Sequence, residues 1–372
     1  MQADAAYASQ LQLHKARVQG NEDSGENNVN VLSAIGIPNR DRTLVTVHWP
    51  DGFQGGSGTF MFPRDFSRLS DQTWRDEELK WAKYSINRIM AFKAPVTSTA
   101  IWPREDPQII LQVANCFGYS CYIGHVTDDD PYGVSYNVDD DNEMTLWDTA
   151  IDPTGTKAAV AAGATIDVNA IGDYLSPSTQ SFSGRHETTD CRALDWLTPD
   201  ILLAGDRKSV VLWDVRTDSR VHKKGGAVAH RFLNESVVTG LQVVPGSGGN
   251  QVLTSTNNHL NLYDLRMPST HKDRTLLSIP NVSEVPKLNF DISNRGIVAT
   301  STKRGPSTEL RLVSLKTGQE LRTLQSPKVS PSQPSQIMWL PDERGVDYLS
   351  ICSGSWVYKW TWQELDGETD EE

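Results

Sequence analysis

The chain has 372 residues, of which 38% are hydrophobic and 22% are charged, and its formal net charge is −12. This is the composition of a globular protein, and no run of about 20 apolar residues is present that could span a membrane. The acidic balance and the scatter of Lys and Arg argue against direct nucleic-acid binding, which needs a basic face.

The N-terminal segment, residues 1–30, is polar and includes the run NEDSGENN at 21–28, which is typical of a flexible extension. Within it, apolar and aromatic residues at helical spacing indicate a short helix over 3–18. The segment lacks the basic start, apolar run and cleavage site of a secretory signal. We therefore expect the protein in the nucleus or the cytoplasm.

One later segment, WRDEELKWAKYSINRIMAF at 74–92, has apolar residues on a single helical face. Thr73, directly before it, followed by Asp76 resembles a capping box. The sequence thus predicts a helix outside the strands. Two interpretations remain open for it: a connector on the rim of the fold, or a docking helix for a partner.

From residue 99 onward the sequence repeats with a period of 43 to 50 residues. Six similar segments mark the period: TAIWP (99–103), TAIDP (149–153), RALDW (192–196), GLQVVP (240–245), KLNFD (287–291) and QIMWLP (336–341). Each is followed by two more β-rich runs separated by turn residues. Periods of this length are typical of propeller blades. We predict an all-β fold, a WD-repeat β-propeller over 31–364, with six visible units and seven blades.

The last repeat offers three strands, one fewer than a complete blade, and then gives way to an acidic tail at 365–372. A missing strand would leave an open sheet edge. The alternating run TLVTVHW (43–49) is our candidate for the strand that closes the ring. A second interpretation stays open, in which residues 43–62 with TFMFP (59–63) contribute a degenerate extra blade.

Trp-Asp pairs recur within the repeats. Trp213 and Asp214 end the run SVVLWD, where we expect the Trp ring to pack between sheets and the Asp to bind turn backbone. We assign the same structural role to Trp147 and Asp148 in MTLWD, and to Tyr263 in LNLYD.

Known catalytic motifs are absent from the sequence. It contains no phosphate-binding, nucleophile-elbow or zinc-protease motif, so we predict no enzyme activity, no catalytic residue and no cofactor. The four cysteines have no zinc-site spacing and are interpreted as buried thiols. The acidic runs at 128–130 and 139–141 suit surface loops better than a calcium site, so no metal is predicted.

An arginine follows the acid in two consecutive repeats, LWDVR (212–216) and LYDLR (262–266). Since residues two apart on a strand share a face, we expect Asp214 to orient Arg216 and Asp264 to orient Arg266. Two guanidinium groups held on neighbouring blades would suit the acids or carbonyls of a partner protein.

The run ILLAGDRKSVVLWDVR (201–216) resembles the sixteen-residue box ending in WDxR of the WD-repeat substrate receptors that bind the damaged-DNA-binding adaptor of cullin-4 RING ubiquitin ligases. It departs from that box at Leu203, where a small residue is usual, and at Arg207, where an acid is usual. The segment 236–362 is also similar in order to one numbered member of the family. The resemblance implies that Arg216 and Arg266 contact the adaptor.

The sequence therefore predicts a protein-binding scaffold, monomeric within a larger complex, that recruits a substrate to a cullin-4 ligase. A constitutive scaffold of a chromatin or RNA-processing assembly, with no ubiquitin role, is the alternative. A third hypothesis is an enzyme with its active site in the central channel, but the sequence offers no catalytic constellation for it.

Overall fold

The structure, a computed structural model, is all-β in the part of the chain that it describes. The described residues are 11–17, 30–37, 42–48, 57–63, 88–92, 96–102, 108–114, 120–126, 132–137, 146–162, 165–171, 179–180, 191–207, 209–216, 228–233, 236–267, 275–281, 289–304, 307–324, 336–341, 345–354 and 356–362. No helix of these residues is long and apolar enough to cross a membrane.

These residues form seven four-stranded antiparallel sheets, which we number in chain order. Sheet 1 contains β2 (Asn30–Ile37), β3 (Arg42–His48), β4 (Ser57–Pro63) and β5 (Arg88–Phe92). Sheet 2 contains β6 (Val96–Trp102), β7 (Gln108–Ala114), β8 (Ser120–Val126) and β9 (Tyr132–Asn137). Sheet 3 contains β10 (Leu146–Ile151), β11 (Lys157–Ala162), β12 (Thr165–Ala170) and β13 (Thr179–Gln180).

Sheet 4 contains β14 (Ala193–Thr198), β15 (Ile201–Asp206), β16 (Ser209–Asp214) and β17 (Val228–Leu233). Sheet 5 contains β18 (Gly240–Val243), β19 (Gln251–Ser255), β20 (His259–Asp264) and β21 (Thr275–Pro280). Sheet 6 contains β22 (Phe290–Ile292), β23 (Ile297–Arg304), β24 (Ser307–Ser314) and β25 (Glu320–Leu324). Sheet 7 contains β26 (Gln336–Pro341), β27 (Asp347–Ser353), β28 (Trp356–Trp362) and β1 (Leu11–Arg17).

Apolar clusters join sheet 3 to 4, 4 to 5, 5 to 6, 6 to 7 and 7 to 1. The cluster between sheets 4 and 5, for example, contains Leu203, Val210, Leu241, Val252 and Tyr263. Successive sheets stack face to face because strands that are apolar on both faces must bury both. The result is the ring of sheets that defines a β-propeller, as the period of the sequence predicted.

The strand that completes sheet 7 is β1, not the run at 43–49. It pairs with β28 over seven residues, from Leu11↔Trp362 to Arg17↔Trp356. Residues 43–48 of that run lie instead in β3, the second strand of sheet 1, as the interpretation of an extra blade in this region predicted, because β3 has hairpin partners on both sides. An N-terminal strand thus closes the ring, but the choice of segment was wrong.

Two further expectations differ from the structure. Residues 11–17, expected in a flexible or helical segment, form β1, since the open edge of sheet 7 offers hydrogen-bond partners that an isolated helix lacks. Residues 88–92, the end of the expected helix at 74–92, form β5. Residues 74–87, the acidic runs at 128–130 and 139–141, and the tail at 365–372 lie outside the described residues.

Candidate protein-binding site

The third strands of sheets 4 and 5 end at the same edge of the ring. Ile201 pairs with Asp214 in sheet 4, and Gln251 pairs with Asp264 at the corresponding position of sheet 5. We call this the fork edge. It also carries the turns that join the first strand of each of these sheets to its second, at residues 198–201 and 244–251.

In sheet 4, Asp214 holds Arg216 through both carboxylate oxygens. Arg216 Nε donates to Oδ1 at 2.9 Å, and Nη2 donates to Oδ2 at 2.6 Å. The backbone N–H of Arg216 also donates to Oδ1, at 3.0 Å. Arg216 is 64% exposed, so this ion pair, the Asp214–Arg216 fork, lies at the surface.

In sheet 5, Asp264 holds Arg266 in the same way. Arg266 Nε lies 2.9 Å from Oδ1 and Nη2 lies 2.5 Å from Oδ2, with the backbone N–H of Arg266 2.9 Å from Oδ1. Arg266 is 67% exposed, whereas Asp264 is 9% exposed. The Asp264–Arg266 fork therefore stands on a nearly buried anion.

The physical reason for the forks is a turn and not a shared strand face. Both strands end at the Asp, and the Asp side chain then accepts the N–H two residues later, which folds the Arg back over it. The sequence analysis therefore predicted the correct pairs of residues for the wrong reason. Each strand ends at its Asp, and the Arg lies in the turn that follows.

Each fork makes its carboxyl group more acidic. The hydrogen bonds from Arg216 lower the pKa of Asp214 to about 2, and the positive charge of Lys157 contributes. The hydrogen bonds from Arg266 lower the pKa of Asp264 below its ordinary value as well. Both carboxylates are therefore ionised at neutral pH and fix the direction of their arginines.

In sheets 4 and 5 the third strand ends in an aromatic residue followed by Asp, and the aromatic ring packs between sheets as predicted. Trp213 packs against the cluster between sheets 3 and 4, and Tyr263 is buried between sheets 4 and 5. Their rings anchor the strand ends that carry the forks.

Trp147 and Asp148 do not occupy the equivalent place. They lie in β10, the innermost strand of sheet 3, where Asp148 accepts hydrogen bonds from Ser98 Oγ at 2.8 Å and from the backbone N–H of Leu194 at 2.9 Å. Trp147 packs against the cluster between sheets 3 and 4, as expected, but Asp148 binds strands of the neighbouring sheets where a bond to turn backbone was expected. Asp148 is instead a link between three sheets.

Similar links, which the sequence analysis missed, surround the central channel. Asp195 accepts the backbone N–H of Val243 in the next sheet at 2.6 Å, and Asp291 accepts that of Trp339 at 2.6 Å. Gln336 Oε1 accepts the N–H of Ala34 at 2.9 Å and so joins sheet 7 to sheet 1. The available signal was a polar residue recurring once per repeat in the innermost strand.

The channel encloses a cavity of about 580 Å³ lined by the innermost strands of all seven sheets. Burial raises the pKa of Asp195 to about 7 and that of Asp291 to about 6, and neighbouring carboxylates add to both shifts. Because these carboxylates bind backbone N–H groups of the next sheet, their role is to hold the sheets together.

Metal-binding clusters of His, Cys, Asp and Glu are absent among the described residues. Cys191 and Cys352 are buried thiols, as expected. Cys116 lies outside the described residues, and so does the side chain of Cys121.

No protein-family model matches the chain, and no curated protein matches it. Two solved structures share its fold. The Raptor protein of Chaetomium thermophilum is 13% identical with a TM-score of 0.64, over 98% of this chain and 30% of the Raptor chain. The β-propeller domain of Cps50 (Swd1) from Myceliophteria thermophila is 13% identical with a TM-score of 0.62, over 94% of this chain and 99% of that domain. At this identity the likeness shows a β-propeller fold alone.

Proposed function

We propose that this propeller is a protein-binding scaffold that serves as a substrate-receptor subunit of a cullin-4 RING ubiquitin ligase. The observation that carries the proposal is the pair of exposed forks, Asp214–Arg216 and Asp264–Arg266, which lie on neighbouring sheets at the fork edge. An arginine that is already oriented loses little conformational freedom when it binds a carboxylate or carbonyl group.

The two residues that depart from the receptor box, Leu203 and Arg207, lie away from the forks. Leu203 is fully buried between sheets 4 and 5, and Arg207 lies in the turn at the opposite edge of the ring. The proposed adaptor contacts at Arg216 and Arg266 are therefore compatible with both departures. The likeness of 236–362 to the fourth-numbered factor of the receptor family further supports the proposal, which places the protein in the nucleus or the cytoplasm.

The test is co-purification of the full chain with the damaged-DNA-binding adaptor from cells, followed by mass spectrometry of all stable partners. We expect the wild type to retain the adaptor and the double variant R216E/R266E to lose it. The matched control is R207E/R304E, which makes the same change in net charge at the opposite edge, where Arg304 ends β23 next to its hairpin.

Three outcomes contradict the proposal. The wild type could bring down no adaptor, the folded R216E/R266E variant could retain it, or the control could lose it as completely. A wild-type eluate dominated by chromatin or RNA-processing proteins instead would favour the constitutive scaffold.

A further inference from the structure

The large apolar side chains that are exposed in the described part of the chain are Met267, at 37%, and Leu276, at 44%. Leu276 belongs to β21 of sheet 5, and Met267 lies just after the end of β20 in the same sheet. Met267 directly follows Arg266, and its N–H donates to the carbonyl oxygen of Asp264 at 3.2 Å, which turns the chain beside the fork. Leu276 lies near the start of β21, next to Thr275, which pairs with Tyr263. The exposed apolar surface therefore gathers at the corner where β20 ends.

A β-bulge accounts for the exposure of Leu276. Tyr263 pairs with Thr275 and Leu262 pairs with Leu277, so Leu276 is the extra residue of the outer strand. A bulge re-aims the side chain of its extra residue. The corresponding extra residue of sheet 6 is Leu321, which packs against the core between sheets 6 and 7. In sheet 5 the apolar side chain faces solvent instead.

The two arginines also differ in what else they bind. Arg216 Nη1 lies 3.8 Å from Asp200, a second carboxylate, which is itself paired with Lys157 at 3.2 Å. The backbone shows that Asn250 is the counterpart of Asp200, since Val215 N–H donates to Asp200 O and Leu265 N–H donates to Asn250 O. Asn250 is neutral, and its amide donates to Ser247 O at 2.9 Å.

Among the described residues, Asp264 is the one carboxylate paired with Arg266. In the part of the chain that the structure describes, an incoming acid meets a second carboxylate, Asp200, at Arg216, and meets the fork partner Asp264 alone at Arg266. Apolar neighbours further strengthen an ion pair when a partner covers them, because they exclude water from it.

We propose that the surface formed by Arg266, Met267 and Leu276, the sheet-5 corner, is the principal anchor of this propeller, and that it binds a protein segment in which an acidic residue is adjacent to a large apolar one. The acid binds the outward edge of the Arg266 guanidinium, and the apolar side chain covers Leu276 and Met267. This deepens the proposed function, because it assigns unequal roles to the two forks, but it does not depend on the identity of the adaptor.

The experiment selects 12-residue peptides from a random display library on the purified full chain and measures their affinities by fluorescence anisotropy. We expect the selected peptides to carry Asp or Glu next to Leu, Ile, Met or Phe. L276S and R266A should each weaken binding at least tenfold, whereas R216A and the opposite-edge control R207A should change it less than threefold. All four residues are exposed, and thermal unfolding of each variant checks the fold.

The inference fails if no peptide is selected, if the selected peptides lack the acid, or if R216A weakens binding as much as R266A does. It also fails if L276S leaves the affinity unchanged. If the wild type does not co-purify with the adaptor but the selected peptides bind as expected, the proposed function alone is overturned. Adaptor binding that is insensitive to L276S, together with a failed selection, would overturn this inference alone.

Discussion

Asp264 and Arg266 form a two-bond ion pair in which the acid is 9% exposed and the base is 67% exposed. The acid is fixed by the end of its strand, and the base extends from it toward solvent. This asymmetry distinguishes a presented arginine from an ordinary surface ion pair, in which both side chains move and the interaction contributes little to stability. The Asp214–Arg216 fork repeats the arrangement one sheet away.

The first prediction concerns the titration of Asp214. Because Arg216 lowers its pKa from 3.8 to about 2, the carboxylate of the folded protein stays ionised below the pKa of the unfolded chain. Its contribution to stability is thus complete above about pH 4 and is lost as the pH falls toward 2. Carbon-detected NMR of the carboxyl groups should find this low pKa in the wild type and a value closer to 3.8 in R216A. An unchanged pKa in R216A would show that the fork does not form in solution.

The second prediction concerns the channel carboxyls, whose pKa values are shifted the other way. Burial raises the pKa of Asp195 to about 7, so the folded state holds a proton that the unfolded chain releases near pH 4. Stability should then fall as the pH rises from about 4 to 7, by up to about 1.4 kcal/mol per pH unit for one such group, and level off above that range. Asp291 adds a similar decline up to about pH 6.

Urea unfolding at pH 5.0 and pH 7.5 measures this effect. The variant D195N cannot ionise at this position, so its free energy of unfolding should change less between the two pH values than that of the wild type. D195N is also expected to be less stable overall, because its amide NH2 group replaces one of the two oxygens that accept the N–H groups of Trp196 and Val243, and an amide nitrogen cannot accept. An equal pH dependence in both proteins would contradict the raised pKa.

The features that sequence predicted well are local or repeated. The forks follow from two residues that are two apart, and the sheets follow from a period that recurs several times. The features it missed join distant residues. Leu11 pairs with Trp362 because sheet 7 leaves an edge open, and nothing near Leu11 in the chain indicates that partner. The bond from Val243 N–H to Asp195 spans 48 residues and becomes visible only when sheets are stacked.

The third prediction tests the contact between sheets 2 and 3 at Gly155. Its φ is +71°, and an added Cβ would lie 2.5 Å from the Trp102 ring, whose Nε1 donates to Pro153 O at 3.3 Å. G155A should therefore lower the free energy of unfolding through both backbone strain and overlap with the ring, by about 2–4 kcal/mol together. Gly296 provides the matched control, since its φ is +73° in the corresponding turn of sheet 6 and nothing lies within 4 Å of an added Cβ.

Chemical denaturation of G155A and G296A separates the two effects. The control should lose only the part due to positive φ, about 1 kcal/mol. If the two variants lose equal stability, the ring of Trp102 does not cover this turn.

The fourth prediction concerns closure of the ring by β1. All seven residues of β1 pair with β28, and their removal would leave a seven-residue strand with unpaired N–H and C=O groups at the edge of sheet 7. Such an edge pairs readily with a second molecule. Deletion of residues 1–17 should consequently lower the unfolding temperature and shift the protein toward dimers or larger species in size-exclusion chromatography with light scattering. Deletion of residues 1–10, which leaves β1 intact, is the control and should remain monomeric. A monodisperse monomer of wild-type stability from the longer deletion would mean that β1 is dispensable, and the ring would then owe its closure to the contacts between sheets 7 and 1 at Gln336 and Ala34.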